Sequence, residues 1–265
     1  METPFTGEPD RKAAAERVEA IRAGLPHSPP PAAGADVPDW MVGGIEGLPE
    51  FFNATAKLWD ERFGDKEPDS PFLAAMAEPI EPTVDPVRIL DIGIGTGLEL
   101  PAIFECAPNA RITGIDLAPH MLAEVLRKFA DRTGQIELIE GSCLDVRFGD
   151  GQYDYVVSRL TMHHFAPATK LGLYRRIREA LKPGGRYIEG DQSASPEFER
   201  RVLRWYEAYV AKLPDGDRGR WNFDVTLSVD TQRRLLREAG FSSVELVAEH
   251  RNADGNGWAV LSTAR

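Results

Sequence analysis

Short apolar runs alternate along the chain with longer stretches of helical periodicity. Residues 87–92 are apolar and β-branched on both faces apart from Arg88 and Asp91. That composition suits a central parallel strand covered on each side. Four more strands are expected at 111–116, 136–139, 153–158 and 186–189, with helical patterns between them at 98–104, 118–129 and 171–181. This alternation builds a doubly wound α/β sheet. A helix at 230–239 and strands at 244–248 and 258–263 close the chain, the last two joined by a loop as an antiparallel hairpin. Seven strands result, most of them parallel.

Three stretches stand outside the alternation. Residues 11–25 can form an amphipathic helix with Ala14, Val18, Ile21 and Leu25 on one face, and 27–38 are rich in proline and alanine. Residues 1–40 therefore read as a helical extension and linker, and 41–265 as the main domain. The extension is compatible with a homodimer or with a loosely attached tail. Residues 48–64 predict a helix carrying Phe51, Phe52, Leu58, Trp59 and Phe63, and 74–80 a shorter one. The interval 193–225, with a helix at 197–213 and then Trp221-Asn222-Phe223, would lie above the carboxyl edge of the sheet. It reads as a helical cap insertion or as a second helix packed on the rim.

Composition narrows the partners. The 265 residues carry a formal net charge of −11, which disfavours nucleic acid as the substrate. No apolar run approaches the ~20 residues that span a bilayer, so a membrane is not expected as a partner. The start of the chain shows no signal-peptide pattern, and two cysteines make no disulfide framework, so a cytoplasmic setting is expected.

The chemistry concentrates after the first strand, in Asp91-Ile92-Gly93-Ile94-Gly95-Thr96-Gly97-Leu98. Glycines at alternate positions make a turn that a ligand can approach closely, and the helix that follows directs free amides towards it. A dinucleotide loop wants G-x-G-x-x-G, and Leu98 stands where its last glycine belongs. Asp91 would repel a diphosphate and suits an ammonium group. Asp116, ending the second strand, can accept both hydroxyls of an adenosine ribose.

D-x-G-x-G-x-G resembles the first motif of the class I S-adenosylmethionine-dependent methyltransferases. Asp116-Leu117-Ala118-Pro119-His120-Met121-Leu122 is similar to their second. Glu140-Gly141-Ser142-Cys143 departs from the family's G-D form, with Ser142 at the aspartate's place. Tyr153-Asp154-Tyr155-Val156-Val157-Ser158, continuing to His163-His164, resembles the fourth motif of the small-molecule type, and Leu181-Lys182-Pro183-Gly184-Gly185 matches the family's turn. The resemblance implies a Rossmann-like sheet with S-adenosylmethionine held across Asp91, Gly93, Gly95, Gly97, Asp116, Leu117, Ser142, Cys143 and Ser158. It implies methyl transfer to a small-molecule acceptor by in-line displacement, with Trp59 in a lid and Asp191 near the acceptor. Asp191 could equally cap the helix near Ser195. His163 is the candidate general base, although alignment alone suffices for many transfers and an imidazole can serve only as a hydrogen-bonded wall. Adjacent histidines are expected to diverge, so no shared metal is expected. The alternatives are a non-catalytic S-adenosylmethionine-binding protein and a nicotinamide-dependent oxidoreductase.

Overall fold

In a computed structural model of the chain, residues 47–63, 71–213, 216–217 and 219–265 are described, together with Glu16 and Ala20. The expected 11–25 helix, apart from those two residues, and the 27–38 linker lie outside the described residues. Helix α1 (Leu48–Phe63) and helix α2 (Pro71–Ala77) precede the sheet. The alternating part follows as β1 (Arg88–Ile92), α3 (Leu100–Cys106), β2 (Arg111–Asp116), α4 (Pro119–Lys128), β3 (Ile136–Glu140), β4 (Tyr153–Arg159), α5 (Pro167–Ala180) and β5 (Leu181–Ser193). Helix α6 (Pro196–Val210), helix α7 (Val229–Glu238), β6 (Ser243–Arg251) and β7 (Gly257–Ala264) complete it.

The seven strands lie in the order β3-β2-β1-β4-β5-β7-β6. β1 pairs in parallel with β2 and β4, while β7 runs antiparallel to both β5 and β6. Ile89, Leu90 and Ile92 are fully buried, as the two-faced apolar run requires. Their side chains divide between two apolar clusters, Leu90 and Ile92 in one and Ile89 in the other. No helix among the described residues is long and apolar enough to cross a membrane.

Helix starts follow local chemistry. Pro119 sits in the first turn of α4 after an extended Ala118. Ser195 and Ser228 cap α6 and α7, their hydroxyls accepting from the amides of Phe198 and Thr231. Strand β5 extends further at both ends than the expected 186–189. Its neighbour β7 pairs along it from Arg186 to Ser193, and Leu181 pairs with Tyr153 across a register shift that absorbs the proline and glycines. Helix α6 buries Val202, Trp205 and Tyr209, and the two aromatic rings pack edge-on against Phe223.

Candidate active site

The carboxyl ends of β1, β2 and β4 open into a cleft with about 690 Å³ of atom-free space, part of it continuous with solvent. One side is backbone. Gly93, Gly95 and Gly97 all have positive φ, and a Cβ on Gly93 would collide with Thr161. A Cβ on Gly95 would meet nothing nearer than 4.0 Å and would project into open space at a φ of +51°. The turn is therefore shaped around something the protein itself does not supply.

Asp116 ties this turn to β2. Its Oδ2 accepts from the Gly95 amide at 2.9 Å and its Oδ1 from the Ala118 amide at 2.8 Å. Burial raises its pKa to about 6, with those amides opposing. The residue closes the turn into α4 through the Ala118 amide without capping the helix, and it faces the cleft alongside Leu117, Gly141 and Cys143. Burial pushes the Cys143 thiol up to about 12, so it stays protonated and acts as a soft wall.

Asp91 lies behind the wall of the cleft rather than on it. It is fully buried, and neither carboxylate oxygen has a hydrogen-bond donor among the described residues. What it faces is Glu99, a residue the motif comparison passed over, which does line the cleft. Burial pushes the Asp91 carboxyl well above the usual range, and the neighbouring Glu99 adds to this. Burial raises Glu99 as well, with the Arg159 guanidinium opposing. Glu99 thus raises the cost of ionising Asp91, and the Arg159 guanidinium offsets part of the shift in both. The sequence signal for Glu99 is its place, a carboxylate between the glycine turn and the apolar run Leu100 to Phe104.

Helix α1 covers this end. Asp60 accepts from the Thr96 hydroxyl at 2.5 Å and pairs with Lys128 at 2.7 Å, so one carboxylate joins α1 to the glycine turn and to α4. Trp59 and Phe52 line the cleft and pack edge-on, their centroids 5.2 Å apart.

The other end is built by three segments distant in sequence. A short 3₁₀ turn, Met162–His164, follows Leu160, whose φ of +46° ends β4 sharply. His163 donates its backbone N–H to Asp191 Oδ2 at 2.9 Å, and its Nδ1 lies 2.5 Å from Asp191 Oδ1. Burial pushes the His163 imidazole down, but Asp191 outweighs that and leaves it above its ordinary value. His164 Nδ1 meets the Phe223 carbonyl at 3.1 Å, and burial and His163 hold it well below the usual range. The adjacent rings do not diverge, as helix or strand geometry would dictate. On the 3₁₀ turn their centroids lie 4.1 Å apart, with Asp224 beside both.

The remaining sequence candidates divide as follows. His164, not His163, lines the cleft, and Asp191 sits behind His163 rather than capping α6. Ser142 accepts from the Leu144 amide in its own turn, between the lining residues Gly141 and Cys143. Ser158 is buried against the Tyr187 hydroxyl at 2.7 Å, away from the cleft. Gly97 shapes the turn without lining the cavity.

A glycine turn with room above it, a carboxylate at the end of β2 and a buried acid pair are features suited to an adenosine bearing an ammonium group. A family model described as "Methyltransferase domain" matches residues 89–185. The demethylmenaquinone methyltransferase of Thermus thermophilus is 40% identical over 172 residues, covering 59% of this chain and 75% of the relative. The carboxy-S-adenosyl-L-methionine synthase of Trichodesmium erythraeum is 32% identical over 178 residues, covering 62% and 69%. Phosphoethanolamine N-methyltransferase 2 of Haemonchus contortus, solved with S-adenosyl-L-methionine, superposes with a TM-score of 0.62 over 82% of this chain and 58% of that one. At 16% identity that likeness is one of fold. The chain belongs to the class I S-adenosylmethionine-dependent methyltransferase family, and S-adenosylmethionine is its cofactor.

Proposed function

We propose that the chain transfers the methyl group to a small molecule with an apolar body and one polar reacting end. The observation that carries this is the division of the cleft. Leu48, Phe52, Trp59, Met121 and Phe165 give the cleft apolar walls, and beyond the glycine turn with Glu99 and Asp116 a polar His164, with Asp224 beside it, borders the space. A pocket of that kind takes up an apolar body and orients it by a few polar contacts. The named relatives act on demethylmenaquinone and phosphoethanolamine, both small molecules. The charge of −11 argues against a polyanionic acceptor.

S-adenosylmethionine supplies a methyl group activated on a sulfonium sulfur. The protein's part is position and exclusion of water. Asp116 would hold the ribose hydroxyls, and the Asp91–Glu99 pair would ionise to face the ammonium group. Gly93 and Gly95 would let the backbone close on the ligand, with α1 over it. At the acceptor end Asp191 fixes His163 so that its outer nitrogen faces Asp224. An imidazole held in this way presents a lone pair to a proton or to an electrophile. Alignment of this kind supplies about 7–11 kcal/mol of a barrier.

The test is transfer of radiolabelled methyl from the cofactor to a cell extract split into a small-molecule filtrate and a macromolecular fraction. Label in the filtrate is expected. Label confined to macromolecules, or in neither fraction, would overturn the reading.

A further inference from the structure

His163 and His164 each have one ring nitrogen committed. The Nδ1 of His163 is held by Asp191 and the Nδ1 of His164 by the carbonyl of Phe223, at 2.5 Å and 3.1 Å. Both partners are acceptors, so they assign Nδ1–H to each ring and leave the lone pair on Nε2. Asp224 Oδ1 stands 3.6 Å from His163 Nε2 and 3.8 Å from His164 Nδ1. One ligand atom from each of the three residues lies within 4.8 Å of the other two, the one such group among the described residues. Separations of 3.6 and 3.8 Å are too long for direct hydrogen bonds. The 3.6 Å between Asp224 Oδ1 and His163 Nε2 is close to the spacing of donors sharing one ion, since two ligands held tetrahedrally at about 2.0–2.1 Å from zinc stand about 3.4 Å apart; His164, its Nδ1 held by Phe223, would ligate through Nε2.

We propose that His163, His164 and Asp224 bind one divalent cation of the zinc class at the acceptor end of the cleft. Two imidazoles and one carboxylate suit zinc, cobalt or iron(II) better than magnesium or calcium, which favour all-oxygen sets. Both imidazoles already have the outer partner that ligating histidines use, a carboxylate for one and a backbone carbonyl for the other. The rings are almost fully buried, whereas the Asp224 side chain is one-third exposed and gives the ion a way in. Three protein ligands leave coordination positions open, and His164 borders the cleft. An oxygen-bearing end of the acceptor would complete the shell there and would ionise more readily beside the cation. That last role rests on the function proposed above; binding of the ion does not.

The experiment uses the full chain stripped with chelator and titrated with Zn²⁺ by calorimetry, without cofactor or acceptor. A parallel titration with Co²⁺ reads visible absorption. One equivalent of Zn²⁺ is expected to bind, with the affinity falling tenfold or more in Asp224→Asn and in His164→Gln, and the Co²⁺ bands lost in both. Should His164→Gln fail to fold, as its melting curve would show, Asp224→Asn decides alone, since that side chain is partly exposed. No saturable binding by the unaltered chain, or a loss below tenfold in Asp224→Asn, would overturn the proposal. Neither outcome bears on which acceptor is methylated.

Discussion

The two ends of the cleft are built on different plans. The cofactor end is mostly backbone at the close of two adjacent strands, with Asp116 bonded to amides within the same layer. The acceptor end is almost all side chain, drawn from β4, β5 and the segment before α7, which meet only in three dimensions. The first plan serves a ligand that does not change; the second can be altered one side chain at a time. The fold thus separates what must stay constant from what sets specificity.

Substitutions should separate the two ends, beginning with the largest effect. Asp191→Ala leaves a buried imidazole and two amides without their acceptor, and should destabilise the fold by about 3–5 kcal/mol in chemical denaturation. A loss under 1 kcal/mol would mean that the acceptor end is not held from within. Gly95→Val should cost at least about a hundredfold in affinity for S-adenosylhomocysteine, about 2.7 kcal/mol, by calorimetry with the far-ultraviolet spectrum unchanged. Undiminished affinity would remove the glycine turn from the cofactor site.

Protonation sharpens the same contrast. With its pKa near 6, Asp116 must lose a proton to receive two hydroxyls at lower pH. Through Asp116 alone, affinity for S-adenosylhomocysteine should therefore fall by up to about tenfold per pH unit below 6, and that residue's share should level off above it. The Asp91–Glu99 pair acts in the same direction, so Asp116→Asn should make the slope shallower without flattening it. Smallest is Asp60→Ala. Its carboxylate is over one-third exposed, so the lost contacts to Thr96 and Lys128 should cost about 1 kcal/mol or less in stability. A weaker hold on the cofactor should accompany that loss, measured in the same titrations.

Much of the cofactor end was legible because its chemistry is local. Glycines at alternate positions after an apolar run, and an acid ending the next strand, are contiguous patterns that need no partner to be read. Glu99 escaped because only the folded turn brings it against Asp91. The acceptor end was hidden for the same reason: nothing in Asn222-Phe223-Asp224 announces that it will lie on the histidines. The expectation of diverging rings applied helix and strand geometry to a 3₁₀ turn, set up by a leucine at positive φ. Ser158 sits at its expected strand end, but the neighbouring Tyr187 claims its hydroxyl.

At the near edge of the cleft, the Leu48 amide donates to the Arg220 carbonyl at 2.9 Å, and Gly47 bridges Trp221. Helix α1, which meets the glycine turn through Asp60, and the strip beside the histidines are therefore stitched along one seam. Displacing the start of that helix would break this seam and disturb the strip that holds His164.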